Sequence, residues 1–173
     1  MRIQRSIDVS ASATDAWALL ADGFGDIGTW TTAVDGSNLV GGQVEVGAER
    51  HCKVSGPLSG DGITVERITA FDPGGMTYSY EAVRGLPSFL RSAHNTLSVT
   101  PLAGNRCRIH ADAAIALPWW RVPLGPVIWL GVGFAIRKFF SDLQYRLEQG
   151  APRPELARRA VAVLSSEAVK RCD

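Results

Sequence analysis

The stretch 126-PVIWLGVGFAIRKFFSDLQYRLEQG-150 decides the fold, because it predicts one long amphipathic helix. Gly150 and Pro152 follow the last charged turn and form a typical helix stop. A helix with one apolar face needs a large partner surface, and strand-like segments precede it, so we expect a curved sheet around the helix. The apolar stripe recurs in steps of three and four and consists of Trp129, Gly133, Ile136, Phe140, Leu143 and Leu147.

Composition indicates one compact unit. The 173 residues are 46% hydrophobic and 20% charged, which is ordinary for a soluble globular domain. The formal net charge of +1 gives no strong field that would favour nucleic acid or an anionic membrane as a partner. We expect one domain over residues 1–150, followed by a tail, 151–173, that is helical and loosely docked.

The apolar run from Ala116 to Ile136 raises the question of a membrane span. Arg121 interrupts it, and the remaining segment, 122–136, is shorter than the roughly 20 residues that a spanning helix needs. We therefore predict a buried helix and no stable membrane insertion. The first ten residues lack the apolar core of a signal peptide, which favours the cytoplasm. Reduced thiols agree with that compartment, because no C-x-x-C pair occurs among Cys52, Cys107 and Cys172.

The chain before the long helix reads as α+β. Residues 2–9 alternate like a half-buried strand, and Ser12 is placed to cap a short helix that ends near Gly23. A second short helix or turn leads to Trp30. Six further strands separated by glycine- and proline-rich turns indicate an antiparallel meander. They are predicted at 34–40, 47–55, 63–71, 75–83, 92–101 and 106–116.

The segment Gly23-Phe-Gly-Asp-Ile-Gly28 matches the G-x-G-x-x-G pattern of dinucleotide-binding proteins. In those proteins the glycines lie between a strand and a helix, so that the helix N-terminus faces the pyrophosphate. Here the glycines follow a helix and no strand precedes them. We therefore interpret them as a helix stop and a turn, and expect no cofactor.

The order of elements resembles a known superfamily. Together with "VGAER" (46–50), "VERITAFDPG" (65–74), "MTYSY" (76–80), "NTLSVTP" (95–101) and the final helix, it is similar to the START-like helix-grip superfamily, also called SRPBCC. The nearest branch resembles the polyketide cyclase/dehydrase and lipid-transport proteins. The resemblance covers roughly residues 1–149. It implies a curved antiparallel sheet of about seven strands gripping a C-terminal helix, with an apolar cavity between them.

Two loops resemble the cavity entrance of the plant abscisic-acid receptors, which are distant relatives. Ser55–Leu58 is similar to their gate loop, and Arg84–Phe89 occupies the position of their latch. However, no lysine occurs from Thr31 to Val46 to meet a hormone carboxylate, and the latch has no histidine–arginine pair. The sequence therefore excludes a receptor for abscisic acid.

Alternation within the strands predicts which residues line the cavity. The expected faces are apolar and rich in alanine, with a few polar groups, as is usual for small-molecule sites. In strand 63–71, for example, Thr64, Glu66, Ile68 and Ala70 share one face. The candidate ligand-binding residues are Arg50, Cys52, Glu66, Tyr78, Tyr80, Asn95, Ala111 and Ala113 on the strands, with Ile136 and Phe140 on the helix.

Arg50 and Glu66 fall where relatives direct a polar side chain toward the cavity. If both do so, they can pair and meet a ligand; alternatively, Arg50 lies at the rim and Glu66 pairs with Arg67 or solvent. The sequence leaves open whether Tyr78 and Tyr80 donate hydrogen bonds to a ligand or only pack as rings in the core. No nucleophile elbow or catalytic triad is present, so the catalytic residues are unknown. No metal site is predicted, because alternation places the three histidines, His51, His94 and His110, on outward faces.

The sequence thus favours a module that binds a hydrophobic small molecule, lipid-like or polycyclic, in an internal cavity. The alternative is a polyketide cyclase or aromatase in which Arg50, Glu66 or a tyrosine polarises a carbonyl or moves a proton. In a third interpretation, side chains fill the cavity and the tail, 151–173, binds a protein. Whether the chain is an enzyme stays open, as does a homodimer. Truncation after Gly150 is expected to cost about 1 kcal/mol or less.

Overall fold

The computed structural model describes residues 1–54, 62–120, 125–156 and 158, without the side chains of Val127 and Ile128. The short helix at Ala13–Trp17, α1, passes into a single π-helical turn at Ala18–Asp22, and a 3-10 helix follows at Phe24–Thr29. The elements in chain order are β1 (Arg2–Val9), α1 (Ala13–Trp17), β2 (Gly36–Val40), β3 (Glu49–Lys53), β4 (Ile63–Asp72), β5 (Thr77–Arg84), β6 (Ser92–Leu102), β7 (Arg106–Ala116) and α2 (Gly125–Gln149).

The described strands form one antiparallel sheet in the order β1-β7-β6-β5-β4-β3-β2. Strands β2 to β7 are a meander, and β1 joins the far edge by pairing with β7 along its whole length. The sheet is curved, and with its C-terminal helix it has the helix-grip architecture. The predicted fold class is therefore confirmed, and the predicted bounds of β1 and β7 match the structure residue for residue.

Local sequence accounts for the first turn of the chain. The Ser12 hydroxyl accepts a hydrogen bond from the Asp15 amide at 3.0 Å, so the predicted helix cap is present.

The glycines of the G-x-G-x-x-G segment allow the 3-10 helix to lie against β2. A Cβ atom at Gly25 would stand 2.6 Å from Leu39 Cβ, and one at Gly28 would stand 2.7 Å from Ser37 N. Close backbone packing explains this motif.

The core lies on the concave side of the sheet. A bulge in β4 shifts its register between Ile68 and Ala70, so that Ile68 is buried while Ala70 is exposed. The prediction that Ala70 shares the inward face is therefore wrong, because strict alternation does not hold across a bulge. The most deeply buried side chains include Trp30, Phe24, Ile68, Ile109, Leu143 and Val9.

Helix α2 packs on the body along only part of its length. Phe140 and Leu143 are buried, and Ile136 and Leu147 are half-buried. Toward the N-terminus, by contrast, Trp129 is 43% exposed. The prediction of one continuous buried stripe from Trp129 is thus wrong for the first turns. Helical spacing fixes which residues share a face, but not whether the sheet extends far enough to cover that face.

The residues that follow α2 contact the body. Arg153 Nε lies 2.7 Å from Asp142 Oδ1, and the Asp142 side chain is 3% exposed. Leu156 is also buried. Residues 157 and 159–173, the greater part of the predicted tail, lie outside the described residues, so the domain boundary near residue 150 stays a prediction. Within the parts of the chain that the structure describes, no helix is both long and apolar enough to cross a bilayer.

Candidate functional site

A buried ion pair lies on the inner face of β3 and β4. Arg50 and Glu66 are opposite each other in the antiparallel register, and Arg50 Nε donates to Glu66 Oε2 over 2.6 Å. The Arg50 side chain is 3% exposed and the Glu66 side chain is 18% exposed. The pairing considered from the sequence is therefore present. Arg67 binds Glu49 instead, on the outer side of the same strands.

Two aromatic rings enclose the guanidinium of Arg50. Its central carbon lies 4.1 Å from the centroid of the Phe24 ring and 4.8 Å from that of the Tyr80 ring. Arg50 Nη1 also donates to the Phe24 carbonyl oxygen at 3.0 Å. Sequence reasoning missed Phe24; its position between two glycines was the available signal, because those glycines bring this turn against the sheet.

Burial, more than the ion pair itself, sets the charge state of the groups around Arg50 and Glu66. Burial lowers the pKa of the Arg50 guanidinium, but the negative charge of Glu66 raises it, and the pKa lies above its ordinary value. Cys52 Sγ lies 3.7 Å from Glu66 Oε2. Burial raises the pKa of this thiol to about 12, with Arg50 opposing the effect and Glu66 adding to it. Cys52 therefore stays a protonated, unreactive thiol at neutral pH.

The two tyrosines of β5 are stacked but have different partners. Their ring centroids are 5.9 Å apart, and burial raises the pKa of both phenols, so each stays protonated. The Tyr78 hydroxyl donates to the carbonyl oxygen of Leu20 at 3.0 Å. The Tyr80 hydroxyl makes no hydrogen bond to another described residue. Tyr78 is thus committed to the protein core, whereas Tyr80 retains an available donor.

Asn95 is the direct neighbour of Tyr80. The sheet register pairs Tyr80 with Asn95, and Asn95 with Ala113 on the following strand. Asn95 is half-buried, and among the described residues its amide has no hydrogen-bond partner. Ala111 is half-buried opposite Leu97, and Ala113 is 3% exposed. Tyr80 and Asn95 therefore place two unused polar groups beside each other on an otherwise apolar face.

Ile136 and Phe140, the helix residues of the candidate site, lie on α2. Phe140 is near β1, which is at the opposite edge of the sheet from β2 and distant from the ion pair on β3 and β4. Phe140 borders a groove of about 290 Å³ between β1 and α2, together with Arg5 and Arg137. Ile136 is half-buried against the core cluster. No residue of the Arg50 ion pair or its aromatic enclosure borders this groove. The structure thus brings Arg50, Cys52, Glu66, Tyr78 and Tyr80 together, with Asn95, Ala111 and Ala113 on the adjoining strands.

Of the two loops that resemble a cavity entrance, only the second lies among the described residues. Ser55–Leu58 lies outside the described residues. In the loop at Arg84–Phe89, Gly85 has a φ of +75°, and a Cβ atom there would stand 1.8 Å from the Ile63 carbonyl oxygen. Only glycine fits at this point, so the loop leaves β5 in a fixed direction over the start of β4.

His110 has a local partner away from the candidate site. His110 Nδ1 lies 2.8 Å from Ser6 Oγ, on the outer face of β1 and β7. Within the described ranges, no group of three metal-ligating side chains converges. The chemistry on offer at the inner face is therefore a phenol donor, an amide and a partly exposed carboxylate held by an arginine, which suits the binding of carbonyl or hydroxyl groups.

Comparison with known proteins agrees with this architecture. Residues 1–149 match the family described as polyketide cyclase/dehydrase and lipid transport. A START superfamily protein from Mycobacterium smegmatis aligns with a TM-score of 0.69 and 16% identity, over 86% of this chain and 97% of that one. Norcoclaurine synthase from Thalictrum flavum, in complex with dopamine and hydroxybenzaldehyde, aligns with a TM-score of 0.59 and 18% identity, over 83% and 85%.

Ara h 8.0201 aligns with a TM-score of 0.68 and 14% identity, over 85% of this chain and 97% of that one. At these identities the likeness shows a shared fold alone. No curated protein matches the sequence at a significant level.

Proposed function

We propose that this chain, which belongs to the polyketide cyclase/dehydrase and lipid-transport family, binds a lipid-like or polycyclic small molecule between the sheet and α2. Family and fold suggest a domain that binds hydrophobic ligands. The ligand class, the enclosed cavity and the contact residues are our proposal. The candidate contact residues are those predicted from the sequence. We distinguish the side chains that already have hydrogen-bond partners within the protein from those that do not.

The observation that carries the proposal is the pair of unused polar groups at Tyr80 and Asn95. Both groups keep some exposure to water in the free protein, so a ligand that bonds to them replaces water and gains about 1 kcal/mol per hydrogen bond. A ligand that supplies a carbonyl or hydroxyl group at this point would satisfy both side chains, while its apolar body would cover the neighbouring alanines. A few polar groups on an apolar wall are the usual design of a small-molecule site.

Arg50 has a different role in this proposal. Its Nε and Nη1 atoms already donate to Glu66 and to the Phe24 carbonyl oxygen, and its faces are covered by aromatic rings. We therefore assign it to positioning: it fixes the Glu66 carboxylate and the Tyr80 ring. Glu66 is the member of the ion pair that a ligand would approach.

The two tyrosines provide a matched test with flavone, an apolar polycycle that carries a carbonyl acceptor. Tyr80→Phe should weaken flavone binding by about fivefold through the loss of one hydrogen bond, with little change in stability. Tyr78→Phe should instead lower the free energy of unfolding by about 1 kcal/mol and leave the affinity unchanged. Titration calorimetry and urea unfolding measure the two effects. Equal losses of affinity in both variants would refute the assignment.

A polyketide cyclase is the second candidate, and the exposed part of Glu66 is the observation that favours it. A carboxylate held beside an apolar wall can act as a general base, and norcoclaurine synthase shows that an enzyme can have this fold. Glu66→Gln keeps the shape and removes the charge. In a cyclase it should reduce the rate by about 100-fold or more while binding survives; in a carrier it should change affinity only modestly.

A further inference from the structure

Two neighbouring parts of the chain, the segment after β7 and the first turns of α2, expose large apolar side chains that the proposed function does not use. The two parts are adjacent: Leu117 Cδ1 lies 4.0 Å from where a Cβ atom of Gly125 would stand. The exposed fractions are 82% for Trp119, 60% for Trp120, 43% for Trp129, 64% for Leu130 and 70% for Phe134. We call these five residues the aromatic end.

Charge is distributed unevenly around the aromatic end. The sequence contains no aspartate or glutamate from residue 113 through residue 141, and none from residue 82 through residue 111. Three exposed cations border the cluster. Arg137 and Lys138 follow Phe134 by about one turn of α2, and the backbone amide of Arg91 donates to the Ala116 carbonyl oxygen at 2.8 Å. Within the described residues, none of these three side chains forms an ion pair.

We infer that the aromatic end docks reversibly on a lipid bilayer that carries anionic headgroups. Tryptophan favours the boundary between acyl chains and headgroups, and an interfacial helix combines aromatic residues with cations that reach the phosphates. Phe134 and Arg137 share one face of α2, so the cation can stay at headgroup level while the ring enters the apolar layer. Two acidic residues border the same groove as Phe134: Asp142, which is paired with Arg153, and Glu155.

A protein partner is the less favoured occupant. Protein interfaces also contain aromatic residues, but they are depleted in lysine, whereas the aromatic end is bordered by cations that include Lys138, which suits anionic headgroups. Docking would also be independent of any bound ligand, so it can be tested while the proposed function is open.

The test uses the full chain and vesicles of phosphatidylcholine, with or without phosphatidylserine. We expect sedimentation with the anionic vesicles, weakened by salt, and quenching of tryptophan fluorescence by brominated acyl chains. Trp119→Ala/Trp120→Ala should weaken binding by about tenfold or more. Arg137→Gln/Lys138→Gln should weaken binding by about 20-fold.

Two controls keep the result specific. Val46→Ser removes another exposed apolar side chain, 60% exposed in the wild type, outside the aromatic end. Lys53→Gln/Arg106→Gln removes two positive charges elsewhere, and both controls should bind vesicles like the wild type. Absence of vesicle binding by the wild type overturns the inference. In that case, light scattering tells what covers the aromatic end instead. A dimer that Trp119→Ala/Trp120→Ala dissociates would show that the aromatic end is a protein interface.

Discussion

Two ion pairs of the protein differ in which charge is shielded from water. The Arg50–Glu66 pair buries its cation, whereas the Arg153–Asp142 pair buries its anion. In the first pair Arg50 is 3% exposed and Glu66 18%; in the second Asp142 is 3% exposed and Arg153 33%. The first pair joins neighbouring strands at the candidate site. The second joins α2 to the residues that follow it.

The difference determines which residue of each pair can be removed without a large loss of stability. A buried charge that loses its partner is costly, whereas an exposed charge can return to water. Arg50 depends on Glu66, because its remaining contacts are one carbonyl oxygen and two aromatic rings. Asp142 is better protected: it also accepts hydrogen bonds from the Thr32 amide at 2.8 Å and from the Thr32 hydroxyl at 2.7 Å.

The largest effect is expected from breaking the first pair. Glu66→Ala leaves the buried Arg50 cation uncompensated and should lower the free energy of unfolding by about 3 kcal/mol or more. Urea unfolding at neutral pH measures it. Glu49→Ala is the matched control, because Glu49 pairs with Arg67 on the same two strands but on the exposed side. There the loss should be below about 1 kcal/mol.

Equal effects of these two substitutions would contradict the comparison. They would mean that water reaches Arg50 as readily as it reaches Arg67, and that the inner face at β3 and β4 is not a shielded site.

Breaking the second pair should have a smaller effect. Truncation after Gly150 removes both Arg153 and Leu156 and should cost about 2 kcal/mol, because Asp142 keeps its threonine partners. This exceeds the roughly 1 kcal/mol expected from the helical stripe alone. Truncation after Arg158 retains the pair and should cost less than about 1 kcal/mol. Thermal and urea unfolding of both truncated chains separate the two cases.

If both truncations were equally mild, Arg153–Asp142 would contribute nothing, and residue 150 would be the functional end of the domain. If both were severe, residues 159–173 would belong to the core.

The fold could be predicted from the sequence because alternation, turn residues and helical spacing are local signals. They locate seven strand segments and the final helix, whereas the Arg50–Glu66 pairing is one of two alternatives that the sequence leaves open. The flanking glycines indicate that Phe24 lies in a closely packed turn, but they do not identify its partner. Its contact with Arg50 depends on how the glycine-containing 3-10 helix folds back on β2, and that is a property of three-dimensional packing.

Helix α2 illustrates the same limit. Phe140 and Trp129 are equivalent in the periodic pattern, yet Phe140 is 5% exposed and Trp129 is 43% exposed. A hydrophobic stripe indicates that something apolar must cover it, but it does not say whether that partner is the protein's own sheet. In the same way, alternation placed Tyr78 and Tyr80 on one face, while only the structure shows that the Tyr78 hydroxyl is already bound to Leu20.

Native mass spectrometry tests the central claim, that this domain holds one hydrophobic small molecule, most directly. The purified chain would be incubated separately with a long-chain fatty acid, a sterol and flavone. We predict a one-to-one, non-covalent complex with at least one of them, which organic solvent dissociates while the mass of the protein is unchanged. A folded charge-state distribution without any such complex, for all three probes and for molecules carried through purification, would contradict the account.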